Sequence, residues 1–135
     1  MNIKKELVDK FKREGKNTIP IPLMNGDKTF QATLLDNGIS VDNLANQPIL
    51  PWTVFEVVIN LLEQESKSVI KGDGMNSKLG SAKLPINSVE GIIAHKVYDK
   101  KNGDSVFRRV SPVCAILDWV GVCENKRGYL VLSKK

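Results

Sequence analysis

The sequence predicts an α+β fold: an N-terminal helix and β-hairpin beside a three-helix unit that ends in a second β-hairpin. Three observations carry that prediction. The run at 51–65, PWTVFEVVINLLEQE, is apolar around most of a helical circumference. Two segments, 29–42 and 122–132, place strand-forming residues on either side of turn residues. The chain has 135 residues, 41% of them hydrophobic and 26% charged, enough for one compact unit with a core. No repeat and no sharp change of composition divides it. The whole of 1–135 therefore reads as one domain, with subregions 1–49 and 50–135.

Residues 3–14 place Ile3, Leu7, Val8 and Phe11 at helical spacing with charges between, and Gly15 follows as a stop. The stripe is narrow, so this helix is expected to dock on the main body or on a second copy. Thr18-Ile19-Pro20-Ile21-Pro22 can at most be an edge strand, because its prolines cannot donate to a ladder. In TFQATLLDNGISVD, Asp36-Asn37-Gly38 supplies residues that tolerate the positive φ of a primed hairpin turn. The helix at 51–65 starts either with Thr53 and Glu56 as a capping box or with Pro51 in the first turn. Its apolar girth predicts a central, buried position.

Residues 66–84, rich in Gly, Ser and Lys, read as a loop with a short strand at 69–71 or 83–84. SVEGIIAHKVY at 88–98 reads as a helix capped by Asn87 or Ser88, with Val89, Ile92, Ile93 and Val97 inward. DKKNGD at 99–104 is a turn.

Charge is unevenly spread. The net is +3 over 1–16, −5 over 17–66 and +7 over 67–135. A basic second half attracts a polyanion across about 8–10 Å of physiological salt, or simply keeps the surface soluble. No run of about 18 apolar residues is available to span a bilayer. The start, MNIKKELVDKFKREGK, is too charged for a signal peptide. Two cysteines make no disulfide framework, so a reducing cytoplasm is the expected location.

The stretch 105–133, SVFRRVSPVCAILDWVGVCENKRGYLVLS, is the most informative. A helix capped by Asp104 or Ser105 and running to about Val120 would place Val106, Val110, Val113, Leu117 and Val120 on one face. Arg108, Ser111, Pro112, Ala115 and Trp119 would fall opposite, with Arg109 on the flank. Arginine, a hydroxyl and a small residue on an outer face suit entry into a DNA major groove. Pro112 offers a second reading. Ser111-Pro112 can start a helix, which would leave Arg108 and Arg109 in the preceding turn, better placed for phosphates than for bases. Beyond Gly121, Asn125-Lys126-Arg127-Gly128 forms a hairpin tip with two cations. The outward Trp119 calls for a cover: the N-terminal helix, the 29–42 hairpin or a second protomer.

Residues 88–133 resemble a winged helix-turn-helix domain. SVEGIIA is similar to the start of its second helix. VFRRV followed by Leu117, Gly121 and Val122 is similar to the recognition helix and its end, and ENKRGYLVL to the wing. The helix at 51–65 would be the first helix. The connection between the first two helices and the turn at 99–104 are longer than is usual for the pattern. The resemblance implies a non-catalytic protein that binds double-stranded DNA through Arg108, Arg109, Ser111, Lys126 and Arg127. Winged helices also serve as protein-interaction or scaffold domains. That alternative rests on the acidic hairpin, the narrow N-terminal stripe and Trp119, through a homodimer or another protein partner.

Other chemistry finds little to work with. His95 is the only histidine and lacks visible partners for catalysis or metal. Cys114 and Cys123 fall short of the four ligands that zinc takes. Lys71-Gly72-Asp73-Gly74 lacks the spacing of a phosphate-binding loop, and no carboxylate pair stands out as a dyad. No enzyme activity, metal or cofactor is expected.

Overall fold

The structure, a computed structural model, describes residues 1–24 and 26–133. The elements run α1 (Ile3–Glu14), β1 (Thr18–Pro22), β2 (Thr29–Leu35), β3 (Gly38–Val41), β4 (Ile49–Pro51), α2 (Trp52–Gln64), β5 (Ser68–Ile70), α3 (Val89–Lys96), α4 (Val110–Trp119), β6 (Cys123–Lys126) and β7 (Tyr129–Leu132). The fold class is α+β, with two antiparallel sheets ordered β1-β2-β3-β4 and β5-β7-β6.

The first sheet is larger than the hairpin expected from the sequence. β1 joins as an edge strand, and β4 was not anticipated. Asn17, Ile19, Ile21 and Leu23 face β2 in the ladder, so Pro20 and Pro22 point their nitrogens to the open edge. The missing donors blunt an edge that could otherwise recruit another strand. The turn at Asp36-Asn37 is not the primed type, since neither residue takes a positive φ. Glycine is needed at 38 for a different reason. A Cβ there would stand 2.1 Å from the Leu50 carbonyl oxygen, so the close approach of β4 requires its absence.

α1 forms where the spacing placed it. Asn2 accepts the Lys5 amide at 3.1 Å, and Gly15 closes the helix at φ 74°. Its Ile3, Leu7 and Phe11 are buried, and the helix packs on α2. α2 is the central helix, buried through Trp52, Val54, Phe55, Val58, Ile59, Leu61 and Leu62. Its capping box does not form: Pro51 is the N-cap and no side chain caps it. Instead the Trp52 indole N–H donates to the Asp36 carbonyl at 2.8 Å, tying the helix start to the first sheet. Ser88 caps α3 by accepting the Gly91 amide at 3.0 Å. One continuous core runs from Ile3 to Leu132 and draws on both sheets and all four helices.

The loop between β5 and α3 is held at many points. Leu79 and Leu84 are buried with Ala94 in a small satellite core. The Leu79 amide donates to the Asp104 carbonyl at 2.9 Å, and the Leu79 carbonyl accepts the Gly103 amide at 2.8 Å. The expected strand at 69–71 exists as β5, whereas 83–84 is not a strand.

Candidate functional site

α4 begins at Val110, between the two starts the sequence offered. Pro112 then occupies the third helical position, where a backbone N–H would have no partner in any case, and no kink is needed. No side chain at the N-cap satisfies the first amides. Glu90 of α3 does so from across the core. Its carboxylate accepts the Arg109 amide at 2.8 Å and the Val110 amide at 3.1 Å. An anion at this helix terminus is favourable. Glu90 is 1% exposed. Its burial raises the carboxyl pKa above the ordinary value, against the lowering pull of the two amides and of Arg109 and Arg108.

This start leaves both arginines outside the regular helix, with Arg109 as its N-cap, and separates them. Arg109 is 3% exposed, so the flank position expected for a nucleic-acid contact is corrected: it is a core residue. Its guanidinium carbon lies 3.6 Å from the Tyr98 ring centroid and 4.8 Å from that of Phe107. It donates to the Phe107 carbonyl at 3.1 Å and to the Gln47 side-chain oxygen. Burial draws its pKa down, though a guanidinium stays charged at neutral pH. Gln47 belongs to the connection between β3 and β4, so Arg109 fastens the start of α4 to the first sheet. Arg108 is exposed.

The face expected to be outermost on α4 is covered. Pro112 and Ala115 are buried, in an unbroken buried run from Pro112 to Leu117, and the helix packs against both β1 and β6. At Pro112 and Ala115 this face is therefore closed to a major groove, while Ser111 at its N-terminal end stays exposed. Trp119 is half-buried, and of the three covers weighed the N-terminal helix supplies it. The Phe11 ring meets it edge-on at 5.0 Å, and the Lys10 ammonium sits 5.5 Å from its centroid.

The remaining expected residues stay at the surface. Ser111 is exposed and shares a shallow cleft of about 170 Å³ with Arg108, Asn43, Leu44, Val110 and Pro112. Lys126 and Arg127 are exposed at the β6–β7 tip, where Gly128 takes the positive φ of 82°. Lys126 lies 3.6 Å from Glu124, an exposed pair of little energetic weight. The tip and Arg108 are linked by 71–74. The Lys71 amide donates to the Gly128 carbonyl at 2.9 Å. Three residues later Gly74 lies so close to Glu90, Val106 and Arg108 that a Cβ would come within 3.0, 3.0 and 3.4 Å of them. Three residues of chain span at most about 10 Å. Among the described residues no carboxylate lies within ion-pair distance of Lys71, Arg108 or Arg127.

Glu90 is the residue that sequence reasoning missed. A signal for Glu90 was present: Glu90, Ala94 and Val97 follow at i, i+4 and i+7, which sets the carboxylate beside the apolar stripe. Both cysteine thiols are buried, and that burial pushes them up to about 12. His95 Nδ1 lies 3.0 Å from the Lys100 carbonyl. Among the described residues no three His, Cys, Asp or Glu side chains are grouped to hold a metal, and no helix is long and apolar enough to cross a membrane. The chain matches no family model, no curated protein and no solved structure.

Proposed function

We propose that this chain is a non-catalytic nucleic-acid-binding protein built on a winged-helix-like unit, and that it grips phosphates with its wing and adjoining loop instead of a helix set into a groove. The order of parts supports the unit: a helix, a short strand, two helices and a β-hairpin, α2 through β7. The cations carry the function. Arg127 and Lys126 stand at the wing tip, Lys71 is bonded through its backbone to that tip, and Arg108 lies at the far end of the same short loop. Phosphate contacts of this kind position a polyanion without reading its sequence. Arg109 takes no part, because it is buried.

Duplex DNA titrated at two salt concentrations tests this. Each phosphate contact contributes a slope of about −0.9 in log affinity against log salt. The triple variant Arg108→Ala/Lys126→Ala/Arg127→Ala should bind more weakly, with a slope shallower by about 2 to 3. Absence of polynucleotide binding even at low salt overturns the proposal.

A protein-interaction role is the second reading. It is favoured by the exposed Met24, Ile70, Met75 and Tyr129, large apolar side chains on or beside the same loop and wing. It predicts an affinity for protein that survives high salt and the loss of the three cations.

A further inference from the structure

From the outer face of the β5-β7-β6 sheet we infer that the nucleic acid bound is single-stranded, with an unpaired base stacking on Tyr129; this rests on the nucleic-acid reading above. Strand alternation splits the sheet cleanly. Val69, Leu130, Leu132 and Cys123 point inward and are buried, where β5 and β7 meet α2 and β6 meets α4. The other face carries two cross-strand rows, Ile70–Tyr129–Lys126 and Ser68–Val131–Glu124. Tyr129 is 42% exposed and Ile70 49%. An isolated exposed apolar residue is ordinary, but here an aromatic ring and an aliphatic side chain are cross-strand neighbours on one sheet face.

Charge decides the occupant. Directly opposite Tyr129 stands Lys126, with Cβ atoms of such a pair about 5 Å apart. Arg127 follows at the turn, and Lys71 sits against Gly128 at the same end, its ammonium turned towards the Met24 sulfur at 3.6 Å. Glu124 is the one carboxylate in the two rows, and Lys126 already partners it. A π-face bordered by Lys126, Arg127 and Lys71, three cations against the single carboxylate of Glu124, fits a chain that offers a flat ring and a monoanion in each unit, which is a polynucleotide. In a duplex the ring faces are stacked on one another and unavailable. A single strand presents them. α4 is buried from Pro112 to Leu117 and offers a groove only its first turn, whereas the wing face brings an aromatic ring and cations together.

The test is fluorescence anisotropy of the full chain with a labelled oligothymidylate of about 12 nucleotides, within the range such sites span. The same duplex DNA and poly-glutamate serve as further probes. Wild type should prefer the single strand to the duplex. Tyr129→Ala should weaken single-strand binding on the order of 5- to 100-fold with the salt slope unchanged, and Tyr129→Phe should stay within about twofold because the ring face is kept. Lys126→Ala/Arg127→Ala should flatten the salt slope. Circular dichroism of each variant checks folding, which an exposed position should not disturb. Equal single-strand affinity of wild type and Tyr129→Ala overturns the stacking inference while leaving phosphate binding standing. Failure of both single strand and duplex to bind overturns the nucleic-acid reading itself. Tyr129-dependent binding of poly-glutamate that matches or exceeds the oligonucleotide transfers the surface to a protein partner.

Discussion

Arg108 and Arg109 are identical in chemistry, yet one is solvent-exposed and the other is sealed between two aromatic rings. Nothing in the pair itself separates them; the separation comes from Glu90, which fixes where α4 starts. Its carboxylate is buried with two amides that would otherwise have no acceptor. Glu90→Ala strands both, and unsatisfied buried donors cost about 1–3 kcal/mol each. A loss of about 3 kcal/mol in urea unfolding is expected. Glu90→Gln keeps one acceptor oxygen and should cost less. Burial holds the folded pKa of Glu90 above its ordinary 4.5. A raised acid pKa means that this group's contribution to stability is complete below the unfolded pKa and is lost as pH rises through the folded one. Wild type should therefore lose part of its stability as pH climbs upward from 4.5, and Glu90→Gln should lack that component. Unfolding curves over this pH range check it, and identical slopes in both proteins would refute the assignment.

At the scale of elements, what was legible in the sequence were the parts whose own periodicity settles their environment. α1 appears at the expected bounds because its stripe, its cap and its closing glycine agree. α2 is buried through seven residues, as its apolar girth predicted. α4 was legible as a helix but not in its surroundings. A wheel drawn from position 104 or 105 presumes one apolar face and one free face. Residues 110–119 instead meet both β6 and β1, and Ala115 lines a cleft with Pro22 and Leu23 at the end of β1. β1 is remote in sequence, and no local pattern announces that pairing. β4, with three residues, is too short to show a period. The covered face makes a direct prediction. Ala115→Glu would be harmless on an exposed helix. With Ala115 at 3% exposure, it forces an unpaired carboxylate into the junction with β1 and should lower stability by several kcal/mol. A urea midpoint close to that of wild type would show that the face is open after all.

Over the whole molecule, the N-terminal 49 residues are structural partners of residues 50–135, not an appendage to them. α1 contributes Ile3, Leu7 and Phe11 to the core, and Phe11 closes over Trp119. The first sheet covers α4 and supplies Gln47 to the buried Arg109. Burying each large apolar side chain is worth about 1.5–3 kcal/mol, so the three from α1 alone approach the whole stability of a typical small domain, about 5–15 kcal/mol. A fragment spanning 50–135 should accordingly fail to fold to a native state, with helical signal but no near-ultraviolet dichroism and with strong binding of a hydrophobic dye. A fragment that melts cooperatively would instead make the first sheet a separable cover. If such a fragment also bound duplex DNA more tightly than the full chain does, the face of α4 that carries Pro112 and Ala115 would become a candidate for recognition, and the proposal that the wing alone grips phosphates would fall.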